Sequence, residues 1–389
     1  MPSILLAAAV AALAAPTSDA PRFGDVRLST GIRLHYAEQG PATGEPIILL
    51  HGYSDSWFSF SRVLTPLARD RRVYALDLRG HGKTDKPAAG YHMRDLAADV
   101  VAFMDAKSIV RATVIGHSMG GFVAQQVALA APKRVGHLVL VGTATTPRNI
   151  VGVDELGKAV MALPDPVPDA FAREFQLSTV HTPVGDEFID RVVAESLRLP
   201  PRVWRELYKG MSATDPAVAL GMAGIPTLVL RGEKDTYITR EETDALGAMV
   251  GAARQRTYAN TGHAPHWEQP ATFAKDVIAF VGEVGVVRQS PQDIAGADRG
   301  NEVPARAEHV AGAPEVVEHR RTMCQTEPLE LRVGRGGDSD QGPAGPPEAR
   351  ARGVGPWPTL LARRSRGTRH HHRGCEHRRE RRTTEPSHT

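Results

Sequence analysis

The sequence predicts an α/β fold: a mostly parallel, eight-stranded sheet with helices on both faces, a helical lid insertion and a disordered C-terminal tail. Three observations support this prediction. Short apolar runs alternate with longer amphipathic runs from about residue 25 to residue 282, the rhythm of repeated strand–helix units. Residues 145–223 interrupt that rhythm with helix formers and prolines. Residues 288–389 lose apolar periodicity altogether, so they could not bury enough surface to offset the entropy of ordering.

Composition limits the class of protein and the kind of chemistry. The net charge of +3 is small for 389 residues and gives no reason to expect a nucleic-acid partner. Both cysteines, Cys324 and Cys375, lie in the tail. The segment expected to form the α/β domain, residues 21–287, can therefore hold neither a disulfide framework nor a cysteine-based zinc site nor a cysteine nucleophile.

The first 20 residues contain an apolar run at 4–15, which is shorter than the roughly 20 residues that a bilayer span needs. The run matches the hydrophobic region of a signal peptide, with Ala12-Leu13-Ala14 as a small-residue cleavage site, although no Lys or Arg precedes it. The segment is therefore signal-like or a disordered extension, and both an exported and a cytoplasmic protein stay open. No integral membrane segment is expected.

Individual strands are predicted from two kinds of apolar pattern. Period-two alternation on both sides of Thr30-Gly31 predicts an antiparallel hairpin of residues 25–29 and 32–36. Continuous apolar runs predict strands that are covered on both faces. These runs, with a last strand-like run at the end, are 46–50, 73–76, 112–115, 137–141, 226–230 and 255–258. Apolar residues at spacings of three and four predict helices over 93–104 and 119–131.

Ser118 is the predicted nucleophile. It lies in the run Gly116-His117-Ser118-Met119-Gly120-Gly121, after a buried strand and before a helix. Small residues two positions before and after the serine allow a sharp turn that exposes the hydroxyl above the sheet, as in a nucleophile elbow. The competing interpretation is a serine that only caps the helix. A serine nucleophile also needs a base and donors for the developing oxyanion.

The acid and the base follow the nucleophile along the chain. Gly232-Glu233-Lys234-Asp235 follows the strand 226–230, and Asp235 on this loop is predicted to accept a hydrogen bond from the imidazole; Glu233 is the rival carboxylate. His263 follows a glycine after the last strand and is the predicted general base. His266, three residues on, is its competitor. The order Ser, Asp, His is the nucleophile–acid–base order of hydrolases with this kind of elbow.

The oxyanion donors are predicted on two loops at the same edge of the sheet. His51-Gly52-Tyr53 follows the strand that ends at Leu50, and ligands gather outside the carboxyl ends of parallel strands. We predict the backbone N–H groups of Tyr53 and Met119 as the pair of donors.

Aromatic residues of the predicted lid have two possible roles. They could line a substrate pocket, or they could pack the lid onto the main domain, and we favour packing for any single one. The residues concerned are Phe171, Phe175, Phe188, Trp204 and Tyr208.

Taken together, these motifs resemble the α/β-hydrolase fold superfamily, in particular its single-domain esterase, haloperoxidase-like and epoxide-hydrolase-like members. The resemblance covers about residues 21–281 and implies Ser118, Asp235 and His263 as a catalytic triad, with Tyr53 and Met119 as the oxyanion hole. The matching runs are Leu49-Leu50-His51-Gly52, Asp77-Leu78-Arg79-Gly80-His81-Gly82, Gly116 to Gly121, Gly232 to Asp235, and Gly262-His263 ahead of Trp267-Glu268-Gln269-Pro270. The Asp77–Gly82 run is interpreted as structural.

Positions at which this chain departs from the family pattern reduce the number of reactions that it is expected to catalyse. Epoxide hydrolases and haloalkane dehalogenases of similar shape place an aspartate where Ser118 stands, which argues against both chemistries. Carbon–carbon bond hydrolases often carry a tryptophan directly after the catalytic histidine, where this chain has Ala264. We therefore predict a serine hydrolase that acts on a small, apolar, ester-like or lactone substrate through an acyl-enzyme on Ser118, without a metal or organic cofactor. The alternatives are a carbon–carbon bond hydrolase, a cofactor-free haloperoxidase-like enzyme and a low-turnover ligand-binding receptor.

Overall fold

A computed structural model of the chain describes residues 20–215, 217–251 and 253–287. The signal-like segment and the tail predicted to be disordered lie outside the described residues, apart from Ala20. Among the described residues, no helix is long and apolar enough to cross a membrane.

The described chain is organised around one eight-stranded sheet, which confirms the predicted α/β fold. The strands are β1 (Arg22–Arg27), β2 (Arg33–Gln39), β3 (Ile47–Leu50), β4 (Val73–Leu76), β5 (Ala112–His117), β6 (Val135–Val141), β7 (Thr227–Gly232) and β8 (Arg254–Tyr258). Their spatial order is β1-β2-β4-β3-β5-β6-β7-β8. The pairings of β2 with β1 and with β4 are antiparallel, and all the others are parallel.

The predicted hairpin is present, but its strands extend beyond the predicted bounds. β1 begins at Arg22 and β2 continues to Gln39. The extension of β2 has a tertiary cause: its second half pairs with β4, Tyr36 opposite Leu76 and Gln39 opposite Val73. The alternation within one strand carries no information about this second pairing.

The central strands are apolar along their whole length because both faces of the sheet are covered. In β3, Ile48 and Leu50 pack into one hydrophobic cluster, while Ile47 and Leu49 pack into the cluster on the opposite face. Every residue of β3 is buried. This is the pattern expected of a parallel strand between two helical layers.

Helices cover the two faces of the sheet. α1 and α10 contribute to the cluster that contains Ile47, and α2 and α3 to the cluster that contains Ile48. The helices are α1 (Ser61–Leu67), α2 (Met93–Ala106), α3 (Met119–Ala130), α4 (Val153–Met161), α5 (Asp169–Ser178), α6 (Asp186–Ser196), α7 (Pro201–Ser212), α8 (Arg240–Met249), α9 (Pro265–Glu268) and α10 (Pro270–Val287).

Four of these helices, α4 to α7, form an insertion between β6 and β7. The insertion packs onto the main domain through aromatic side chains. The ring of Trp204 meets the ring of Tyr53 edge-on with 5.2 Å between centroids, and the Tyr53 hydroxyl donates to the Trp204 carbonyl oxygen at 2.5 Å. Tyr53 lies on the β3 strand-end loop, residues 51–56, so the insertion lies over the carboxyl edge of the sheet.

Candidate active site

Ser118 occupies a strained turn between β5 and α3. Its backbone φ is 51° and its ψ is −117°, a conformation that costs free energy in any residue other than glycine. The turn is held by two hydrogen bonds. The Ser118 N–H donates to the Val141 carbonyl oxygen at 2.9 Å, and the Gly121 N–H donates to the Ser118 carbonyl oxygen at 2.8 Å. Such strain at the end of a central strand is typical of a nucleophile elbow.

The glycines of the elbow are required by close backbone approach. A Cβ at Gly116 would overlap the carbonyl group of Gly120, and a Cβ at Gly120 would overlap the carbonyl oxygen of Leu50 at the end of β3. These contacts explain why the positions two before and two after Ser118 carry no side chain. They also bring α3 close to the β3 strand-end loop.

The structure brings Asp235 and His263 together. His263 Nδ1 lies 2.9 Å from Asp235 Oδ2, and the Asp235 side chain has 0% exposed surface. The other carboxylate oxygen accepts hydrogen bonds from the backbone N–H groups of Tyr237 and Ile238 at 2.8 and 3.0 Å. Since an ionised carboxylate only accepts hydrogen bonds, the Nδ1–H donates. The second nitrogen, Nε2, is then the one with a free lone pair.

The rival residues lie elsewhere. The Glu233 side chain is exposed and accepts a hydrogen bond from the Asn260 N–H at 3.0 Å. His266 is fully buried beside Ser59, with 3.2 Å between its Nε2 and the serine Oγ, and burial lowers the pKa of its imidazole to about 3. Neither residue is among those that line the cavity containing Ser118.

Ser118 and His263 line one cavity beneath the helical insertion. Its walls are largely apolar, and most of them come from the insertion and the segment that leads into it. These apolar residues are Ile150, Val153, Leu156, Phe175 and Met211. Of the five lid aromatics, Phe175 is a lining residue. Trp204 and Phe171 pack against each other, Phe188 packs on Trp267, and Tyr208 is partly buried against the hydrophobic cluster that contains Trp204. Packing is thus the main role of this set, with Phe175 as the exception.

Tyr53 and Met119, the predicted oxyanion donors, lie at the ends of neighbouring parallel strands, β3 and β5. Met119 is the first residue of α3, so its N–H has no acceptor within the helix. The Tyr53 side chain turns away toward the insertion, where burial raises the pKa of its phenol. The Tyr53 hydroxyl is thus bonded to the insertion, and the group predicted as the oxyanion donor is the Tyr53 backbone N–H.

The Asp77–Gly82 run shapes a loop beside the site. Asp77 accepts hydrogen bonds from the N–H groups of Trp57 at 2.8 Å and Lys83 at 2.9 Å. A Cβ at Gly82 would overlap this carboxylate. Both contacts support the structural interpretation of the run.

The helical insertion is bonded directly to the loop that carries His263. The His263 N–H donates to the Thr179 carbonyl oxygen at 2.8 Å. Glu268 bridges the same two segments: one carboxylate oxygen accepts from the Gly262 N–H at 2.8 Å, and the other accepts from the Thr182 N–H at 2.7 Å. The sequence pattern placed Glu268 in a family motif but did not indicate a role for it.

Asp55 and Gln176 are cavity residues that the sequence analysis missed. Asp55 is 3% exposed; its Oδ1 accepts from Gln176 Nε2 at 3.0 Å and its Oδ2 from the Ser59 hydroxyl at 3.2 Å. Burial raises the pKa of the Asp55 carboxyl to about 6. A signal for Asp55 did exist, since it lies on the strand-end loop four residues after His51. Gln176 reaches the site only through the packing of the insertion.

Known proteins similar to this chain include hydrolases of several kinds. A 2-hydroxymuconate semialdehyde hydrolase of Pseudomonas sp. (strain CF600) is 28% identical over 68% of this chain and 96% of its own length. A non-heme chloroperoxidase of Streptomyces lividans is 29% identical over 66% of this chain and 99% of its own. The crystal structure of an esterase from Rhodococcus sp. ECU1013 superimposes with a TM-score of 0.62 at 27% identity, covering 68% and 99% of the two chains.

The family model described as the alpha/beta hydrolase fold matches residues 45–270. This range contains the Ser118 elbow, the Asp235–His263 pair and the helical insertion. The chain belongs to the α/β-hydrolase family.

Proposed function

We propose that the protein is a serine hydrolase that cleaves small ester-like or lactone substrates through an acyl-enzyme on Ser118. The catalytic domain comprises about residues 21–287, with residues 145–223 as its lid. The observation that carries the proposal is the 2.9 Å contact between His263 Nδ1 and Asp235 Oδ2, because His263 lines the same cavity as Ser118.

In the proposed reaction, the Ser118 hydroxyl oxygen attacks the substrate carbonyl carbon while His263 Nε2 accepts the hydroxyl proton. Asp235 stabilises the resulting imidazolium without taking its proton. The backbone N–H groups of Tyr53 and Met119 stabilise the oxyanion of the tetrahedral intermediate. The intermediate collapses, the leaving alkoxide takes the proton from His263, and a water molecule then hydrolyses the acyl-enzyme by the same two steps.

The apolar lining of the cavity favours a small, largely apolar substrate. Four aliphatic side chains and one phenyl ring from the insertion and its leading segment face the space next to Ser118. Burial of a substrate chain against them supplies binding free energy of about 25 cal/mol for each Å² of apolar surface removed from water. No metal or organic cofactor is needed for acyl transfer to water.

Two relatives are named for reactions other than ester hydrolysis. The Pseudomonas relative is a semialdehyde hydrolase and the Streptomyces relative a chloroperoxidase. In this chain the residue after His263 is Ala264, which is fully buried. The side chain that follows the base therefore cannot stack on or hydrogen-bond to a substrate, which favours simple ester chemistry.

A labelling experiment combined with a substrate panel tests the proposal. We expect a fluorophosphonate probe to label the wild-type protein and to leave Ser118→Ala unlabelled. We also expect short 4-nitrophenyl esters or lactones to be turned over faster than vinylogous diketones. Turnover of the diketones alone would overturn the esterase assignment. Absence of labelling, together with a ligand-induced rise in melting temperature, would instead indicate a binding protein.

A further inference from the structure

The catalytic cavity contains a carboxylate that the proposed mechanism does not use. Asp235 already orients His263, whereas Asp55 lies on the β3 strand-end loop and lines the same cavity. Leaving an ionised carboxylate buried among apolar groups is costly unless hydrogen-bond donors surround it. Gln176, Ser59 and the backbone N–H of Gly52 each supply one donor. Since a carboxylate can accept about four hydrogen bonds, Asp55 keeps acceptor capacity for a ligand.

Gln176 shows the same incomplete pairing. Its side chain is 1% exposed, and its Nε2 donates to Asp55 Oδ1 at 3.0 Å and to the Ser196 hydroxyl at 2.8 Å. These contacts fix the orientation of the amide, because the opposite orientation would point the amide oxygen at the carboxylate. The buried Gln176 Oε1 has no hydrogen-bond partner among the described residues. A buried acceptor left unpaired costs about 1–3 kcal/mol, which a donor on a ligand would recover.

We propose that Asp55 and Gln176 form a recognition site for a hydrogen-bond donor on the substrate, so that the preferred substrate is a small ester that carries a hydroxyl group beside its apolar part. This inference rests on the proposed function and deepens it. Both residues line one cavity, each has acceptor capacity that its neighbours leave unused, and the remaining wall is largely apolar. A substrate without a donor would strip water from these acceptors and leave them unpaired.

A purely structural role for Asp55 makes a different prediction. The Ser59 hydroxyl and the Gln176 amide would then only fasten the strand-end loop to α5. Loss of such a fastening would impair all esters to a similar degree. The ratio of kcat/KM between two esters that differ only in a hydroxyl therefore distinguishes substrate recognition from a structural role of Asp55.

The experiment compares matched esters with the full-length protein. In the first pair, 2-hydroxyethyl butyrate is compared with propyl butyrate, which has the same size but no hydroxyl donor on its alcohol part. In the second pair, 4-nitrophenyl 3-hydroxybutyrate is compared with 4-nitrophenyl butyrate, so that the donor lies on the acyl part. Butyrylcholine presents a cation without a donor. The variants are Asp55→Asn and Gln176→Met, with the exposed lid residue Asp154→Asn as the matched control.

We expect the wild type to prefer the hydroxyl member of at least one pair by about tenfold or more in kcat/KM, as for a hydrogen bond to a charged group. Asp55→Asn and Gln176→Met should each move that ratio toward one, and Asp154→Asn should leave it unchanged.

A wild-type ratio near one in both pairs would overturn the inference, even if the variants do not fold. An unchanged ratio in both folded variants would also overturn it, as would a preference for butyrylcholine over the hydroxyl esters. If neither an ester nor a lactone is hydrolysed, the proposed function itself fails. If esters are hydrolysed without a preference for the hydroxyl member, only this inference fails.

Discussion

The N–H of His263 donates to the carbonyl oxygen of Thr179 at 2.8 Å, although the two residues belong to different parts of the fold. Thr179 directly follows α5 of the insertion, and His263 lies on the loop after β8. The predicted base is therefore positioned partly by the lid. Glu268 reinforces this connection because its two carboxylate oxygens accept from Gly262 on one side and Thr182 on the other.

We expect Glu268→Gln to lower kcat by about 10- to 100-fold, because a glutamine has only one acceptor oxygen and its NH₂ group would face a backbone donor. The substitution displaces the His263 loop without touching the substrate, so KM should change less than kcat. Steady-state kinetics on a 4-nitrophenyl ester measure both. Glu187→Gln, at an exposed position of α6, is the matched control. A fall in melting temperature with unaltered kcat would show that Glu268 serves stability alone.

Ser118→Ala should reduce turnover by about 10⁶-fold, since the members of a triad act as a unit. The measurement is ester hydrolysis at saturating substrate with the enzyme concentration raised to detect the residual rate. Ser108, an exposed serine that also has a positive φ of 53°, provides the control: Ser108→Ala should keep both activity and labelling. A loss below about tenfold in Ser118→Ala would refute the assignment of the nucleophile.

Asp235→Asn should lower kcat by about 10⁴-fold, because an amide nitrogen that donates to His263 imposes the wrong tautomer on the imidazole. The two backbone N–H groups that hold Oδ1 would keep the side chain in place. Glu233→Gln is the matched comparison and should stay within about twofold of wild type, as expected of an exposed side chain. The reverse ranking of the two variants would identify Glu233 as the orienting acid.

His51 should make the protein less stable as the pH falls. Its Nδ1–H donates to the Gly52 carbonyl oxygen at 2.8 Å, and its Nε2 accepts from the Leu78 N–H at 3.1 Å, so both nitrogens are committed to the neutral ring. Burial lowers the pKa of His51 from 6.5 to about 4. The stability from the neutral ring is fully present above pH 6.5. It is lost as the pH falls toward 4, because the unfolded chain binds a proton that the folded chain does not.

Urea unfolding measured between pH 4 and pH 7 tests this linkage. One differentially bound proton corresponds to a slope of about 1.4 kcal/mol in the free energy of unfolding for each pH unit. We expect His51→Gln to have a shallower slope than wild type, and replacement of the exposed His92 to keep the wild-type slope. Equal slopes in His51→Gln and wild type would contradict the assignment.

Three residues of the candidate site could be predicted from the sequence because the pattern that indicates each of them lies within one short segment. Ser118 was indicated by an apolar strand, a glycine-flanked serine and a helix in succession. Asp235 and His263 were indicated by their places after strands, where the topology of a parallel sheet brings side chains to one edge. Asp235 and His263 are hydrogen-bonded to each other, whereas Glu233 and His266 have other partners.

The alternation of strands and helices, the order of the elements and the turn at Ser118 could be predicted from local patterns, because apolar periodicity and small residues around a serine are properties of short segments. The packing of the insertion could not be predicted in this way. That packing places Gln176 against Asp55, Thr179 against His263 and Thr182 against Glu268. Each of these contacts joins residues more than 80 apart in the chain, and a hydrogen bond at such separation depends on the complementary shape of two packed surfaces, which no local pattern records.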